Sequence, residues 1–140
     1  VGMNNLDLYI KEEFYSPCSD PATLYESTKD IIRDMPVFAD SADKYAKNPE
    51  SMVDGLLLRG INILKAKKYA GSITDGIHMV KSFRLHAVRS QNMLSETNAY
   101  VWDSVNGIRI NRPIDKFNHL WDAVRYAVME YLYWRCDRKK

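Results

Sequence analysis

Cysteine is scarce in this chain: Cys18 and Cys136 are the only two in 140 residues, and they lack the close pairing of a zinc site. A disulfide framework is therefore not expected, and two free thiols in a reducing compartment are. No apolar run approaches the roughly 18 to 20 residues that a membrane-spanning helix needs, and no charged-then-apolar leader opens the chain. We expect a soluble protein without a membrane partner. A phosphate-binding GxxxxGK(S/T) loop is absent too, so ATP hydrolysis is not expected of these residues. Charge of one sign is also missing. Twenty Lys and Arg face eighteen Asp and Glu, and a net charge of +2 is too mild to announce nucleic acid by its sum. With 46% hydrophobic and 27% charged residues, the chain can bury the core of one ordinary domain spanning 1–140.

What is present alternates strands with helices, the pattern of a layered α/β domain. Residues 8–15 are rich in strand formers and follow an Asn4-Asn5 turn, which predicts the second arm of a hairpin begun by Val1-Gly2-Met3. Asp20-Pro21 reads as a helix cap and first residue, with Leu24, Ile31 and Ile32 on the inner face up to Pro36. Residues 36–40 form a short buried strand ending in Asp40. Asn48-Pro49 opens a second helix carrying Met52, Val53, Leu56 and Leu57, stopped by Gly60. A strand at 61–64 leads into Lys65, Lys67 and Lys68. Ser72 is expected to cap a third helix, with a strand at 83–88 and a short helix from Ser90 after it. Tyr100, Val101 and Trp102, an Asn106-Gly107 turn and 108–110 make a second hairpin, in which Tyr100 and Trp102 pack rather than bind bases. The last helix buries Phe117, Leu120, Trp121, Val124, Val128, Tyr131 and Leu132.

Two carboxylates stand out. Asp122 sits among apolar neighbours on a second face with Tyr126, Met129 and Tyr133, so it needs a cation, a donor or water access. His119, one helical turn earlier, is close enough to share that role. The other reading of Asp122 is a solvated acid favourable to the helix dipole. Asp40 ends a strand, where open α/β sheets collect ligands and catalytic groups, although acids also end strands simply by starting turns. If the two acids converge, they suit a hard cation such as Mg²⁺ or Mn²⁺, which takes few carboxylates and keeps its waters. Lys67 and Lys68, with Ser72 at the start of the helix they precede, suit phosphate contacts with DNA, or an ordinary solvated surface.

Ala39-Asp40-Ser41-Ala42, then Ala66-Lys67-Lys68 with Ser72-Ile73 and Gly76-Ile77, then Glu96 with Tyr100 and Trp102, precede Asn118-His119-Leu120-Trp121-Asp122-Ala123-Val124-Arg125-Tyr126-Ala127. This ordered set, covering nearly the whole chain, resembles the C-terminal nuclease domain of phage large terminases. The resemblance implies a ribonuclease H-like α/β fold, a mixed sheet flanked by helices. It implies a metal-dependent endonuclease that cuts concatemeric viral DNA during packaging, using two Mg²⁺ or Mn²⁺ ions held by an acidic triad. It assigns Asp40 to the second acid, Asp122 to the third and His119 to a supporting position, and Asp43 falls where some members carry a further acid. Implied partners are double-stranded DNA, the terminase ATPase domain, the small terminase subunit and the portal. The implied location is the cytoplasm of a bacterial host, for a phage or prophage protein. The family's first acid lies on a central strand upstream of the first hairpin, and no residue here matches it. The expectation is thus a nuclease domain without its first strand and without the ATPase motor. The alternative is a truncated module that binds DNA or docks on the portal without cutting; a third reading is a resolvase or transposase of the same fold.

Overall fold

The computed structural model describes residues 1–40 and 51–137, with side chains other than those at 111 and 134–137. Asp43 and the Asn48-Pro49 helix start lie outside the described residues. The chain divides into two compact units, one of Val1–Glu12 with Lys68–Lys140 and one of Glu13–Lys67. Among the described residues no helix is long and apolar enough to cross a membrane.

In the first unit, β1 (Gly2–Asn4) and β2 (Asp7–Ile10) form an antiparallel hairpin, and β2 pairs in parallel with β5 (Arg84–Ala87). This three-stranded sheet is mixed, as expected. The tight turn falls on Asn5 and Leu6, one residue later than the sequence suggests, with Asn5 at φ 53°. The second arm also stops at Ile10 instead of continuing to Tyr15. Its last ladder contact is the Val88 N–H to the Ile10 carbonyl at 2.9 Å, after which the chain leaves the sheet. Beyond it, Glu12 is drawn to the start of the next helix, accepting hydrogen bonds from Ser90 and from Asn92, the latter at 2.7 Å. Asp7 locks the two parallel strands by accepting from Arg84 and His86, each at 2.8 Å; first the His86 hydrogen bond and then the hydrogen bond and charge of Arg84 hold its carboxyl below the usual range.

Three helices belong to this unit: α3 (Ser72–Lys81), α4 (Gln91–Ala99) and α5 (His119–Asp137). Ser90 caps α4 as its sequence position predicts, its hydroxyl accepting the Met93 N–H at 3.0 Å. Ser72 does not cap α3. Gly71 occupies the cap position at φ 91°, a left-handed conformation that costs glycine little, and Ser72 becomes the first helical residue and is buried. The hairpin β6 (Trp102–Val105) to β7 (Ile108–Pro113) turns at Asn106-Gly107, both with positive φ, as a type I′ turn requires. Leu8, Ile10, Val80, Met93, Val124 and Val128 form the core of the unit, with Leu120, Trp121 and Leu132 packed against it. Phe117, expected in that core, is instead 56% exposed at φ 55°, because α5 starts two residues later.

The second unit contains α1 (Pro21–Ile32), β3 (Val37–Ala39), α2 (Met52–Leu58) and β4 (Ile63–Lys65). Asp20 caps α1, accepting the Thr23 N–H at 2.8 Å. Ser51 caps α2, and Gly60 follows it at φ 87°. The parallel pair β3–β4 is extended by the Ala66 N–H donating to the Ala39 carbonyl at 2.8 Å. Val53, Leu56, Ile61 and Ile63 are its buried core, while β3 itself is half-buried where full burial was expected.

Two contacts set the position of α5. Gly76 on α3 lies directly under the Arg125 side chain: a Cβ built at residue 76 would come within 2.3 Å of Arg125 Cγ and 2.6 Å of Met129 Sδ. Glu96, buried on α4, accepts the Leu120 N–H at 2.8 Å and so satisfies one of the unpaired donors in the first turn of α5. We expect Gly76→Ala to lower stability. Helix propensity favours alanine by about 1 kcal/mol, but overpacking a filled core costs about 1 to 3 kcal/mol. Urea denaturation showing a stabilised variant would contradict this packing. Glu96→Ala should speed hydrogen exchange at the Leu120 amide and cost about 1 to 3 kcal/mol, whereas Glu96→Gln, which keeps an acceptor, should lose clearly less. Equal loss in both variants would show that the bond to Leu120 is not what anchors the helix.

Candidate functional site

Asp122 lies in the first turn of α5, where the first helical bond runs from its own N–H to the Asn118 carbonyl at 2.7 Å. Its side chain retains 27% exposure. It is not stranded among apolar groups, since Oδ1 accepts from Arg125 Nη2 at 3.0 Å and Oδ2 from the Asn118 amide at 3.3 Å. His119 opens the same turn and is exposed.

Arg125 is the buried cation of this site, its side chain 6% exposed. Its guanidinium carbon lies 4.5 Å from the centre of the Tyr126 ring. Burial works against its charge, but the hydrogen bond and charge of Asp122 outweigh that and raise its pKa further. Tyr100 at the end of α4 is pushed up first by burial and next by the charge of Asp122, which keeps its hydroxyl protonated. Tyr100 and Arg125 also line a cavity of about 200 Å³, with Ile77, Val80 and Trp121 among its other walls. Neither Arg125 nor Glu96 has a role that the sequence alone assigns. The i, i+3 spacing of Asp122 and Arg125 was the available signal for the first. For Glu96 there was none, because its partner lies on another helix.

Asp40 is in the second unit. It directly follows β3 and is exposed at the carboxyl end of the strand pair, beside the turn out of β4. Lys67 follows the same strand pair and is exposed. Lys68, also exposed, belongs to the first unit, where its ammonium lies 6.0 Å from the Tyr126 ring centre. Ser72 is 6% exposed, and its N–H is spent on the Tyr69 carbonyl at 3.0 Å. The start of α3 already carries Asp75, which accepts from the Tyr69 hydroxyl at 3.0 Å.

The donor types fit a divalent cation. Asp122 Oδ2 carries only a long contact to a neutral amide, Asp40 is exposed, and His119 offers an exposed imidazole one turn from Asp122. Among the described residues no group of three or more His, Cys, Asp and Glu side chains is close enough to hold a metal by itself.

The family model for the terminase RNase H-like domain matches residues 1–130. The nuclease domain of the large terminase (g2p) from bacteriophage SPP1, crystallised with bound Mn, is 28% identical with a TM-score of 0.63; the alignment covers 79% of this chain and 62% of that one. A large terminase from a thermophilic bacteriophage, in complex with ADP, is 25% identical with a TM-score of 0.67, over 94% of this chain and 35% of that one. The chain therefore spans less than two thirds of either relative. No curated protein matches it. A mixed α/β fold, an ordered set of blocks ending in the Asp122 helix, and a match over almost the full length together place the chain in the terminase ribonuclease H-like domain family.

Proposed function

We propose that this domain is a divalent-metal-dependent DNA endonuclease of a phage large terminase, cutting concatemeric viral DNA during genome packaging. The observation that carries this reading is the held carboxylate of Asp122, partly exposed in the first turn of α5 with one oxygen only weakly engaged. Asp122 and Asp40 would hold Mg²⁺ or Mn²⁺ through their carboxylate oxygens, and His119 would support Asp122 from its position three residues earlier in the same turn. When bound, such a cation supplies Lewis-acid polarisation of a phosphodiester and activates water for attack.

The protein's own part is positional and electrostatic. Arg125 and Glu96 fix Asp122 and the start of its helix, so the carboxylate needs little rearrangement to engage a ligand. Lys67 and Lys68 are the proposed contacts to DNA phosphates, which position the duplex without reading its sequence. Ser72 is buried and is left out of that set. The partners in this reading are double-stranded DNA, the ATPase portion of a terminase, the small terminase subunit and the portal. The setting is the cytoplasm of an infected bacterium.

Mn²⁺ calorimetry and plasmid nicking, run on the same preparations, test this. We expect Mn²⁺ binding by the wild type and Mn²⁺-dependent nicking. Asp40→Ala and Asp122→Ala should each weaken both by more than about tenfold, since removing a ligand should cost at least as much as removing a group that orients one. Salt-sensitive DNA binding without nicking by the folded wild type would overturn the endonuclease reading in favour of a non-cutting module.

A further inference from the structure

The two oxygens of Asp122 are held unequally. Oδ1 faces a charged, buried guanidinium at 3.0 Å, whereas Oδ2 has the neutral Asn118 amide at 3.3 Å, just outside the usual range for an N–H···O bond. The guanidinium is itself held. Its stem passes over Gly76, where no side chain would fit, its head lies over the Tyr126 ring, and Met129 closes in beside Gly76. A carboxylate turns about a broad terminal torsion, so fixing one oxygen fixes the direction of the other.

We propose that Arg125 is the positioning residue of Asp122, binding Oδ1 and presenting Oδ2 as the oxygen offered to a divalent cation, with the Asn118 contact as the one the cation displaces. The inference rests on the nuclease reading above. It makes a prediction opposite in sign to simple charge. Arg125 carries a positive charge close to the proposed ligand, so by Coulomb's law alone its removal would strengthen cation binding. If Arg125 acts by orientation, its removal weakens binding. Outer groups that orient metal ligands are worth about 10- to 100-fold in affinity.

The test is Mn²⁺ calorimetry on the wild type, Arg125→Met, Asn118→Ala and Asp122→Ala, with far-UV circular dichroism and thermal unfolding reporting the fold of each. Methionine keeps much of the length that packs over Gly76 while removing the charge and the hydrogen bond to Asp122. We expect Arg125→Met, folded, to bind Mn²⁺ at least about tenfold more weakly than the wild type. Asn118→Ala should bind as tightly or more tightly, because the contact it removes is the one displaced. Folded Arg125→Met with unchanged or tighter binding overturns the inference alone, as does Asn118→Ala weakened by about tenfold. If Arg125→Met does not fold, the Asn118→Ala result decides. A wild type that binds no Mn²⁺, or an Asp122→Ala variant that binds as the wild type does, overturns the nuclease reading and this inference together.

Discussion

The burial of one arginine organises the unit that holds Asp122. Arg125 enters the space between α3 and α5 over a glycine, and its charge is paired with Asp122, one helical turn back on the same helix. A buried guanidinium without a partner would be strongly destabilising, by several kcal/mol. The packing that seats Arg125 therefore also dictates where Asp122 must be. Glu96 adds a second restraint by taking a free N–H at the start of α5. The position of the candidate carboxylate is thus tied to the same contacts that hold three helices together.

On the proposed nuclease reading, this arrangement separates two demands on an acidic ligand. It must keep a negative charge in a partly buried place, and it must leave an oxygen accessible. Arg125 meets the first from the buried side, while the other oxygen of a partly exposed side chain carries only the 3.3 Å contact to Asn118. Asp40 meets the same demands differently, by exposure at the carboxyl end of a parallel strand pair, a common place for ligands in α/β folds. The helix with the buried clamp and the strand with the exposed end are different local solutions, which is why the two acids look so unlike each other in their surroundings.

Local chemistry was legible in the sequence, and long-range chemistry was not. Asp20 and Ser90 cap helices because their side chains reach backbone donors three residues away, and Asn106-Gly107 turns because both residues accept positive φ. Ser72 misleads for a related reason: the serine is a good cap in isolation, but Gly71 takes the left-handed conformation and moves the helix start. The strand ending at Ile10 and the exposure of Phe117 depend on where β5 stops and on how Glu96 and Asn118 begin α5, which no pattern of spacing contains. Asp40 at a strand end, and Asp122 near the start of the last helix with His119 three residues before it, are legible from local pattern, and the structure puts them there. The parts played by Arg125 and Glu96 are not legible in spacing alone, because Arg125 is seated against Gly76 of α3 and Glu96 bonds Leu120 of another helix.

The most direct test of the account is the position of a bound metal. Crystals grown with Mn²⁺ and measured at the manganese absorption edge should show an anomalous peak in bonding contact with Asp122 Oδ2, with Arg125 still on Oδ1 and the Asn118 amide displaced. A peak on Oδ1 with Arg125 turned away, or manganese bound only at sites remote from Asp122, would contradict it.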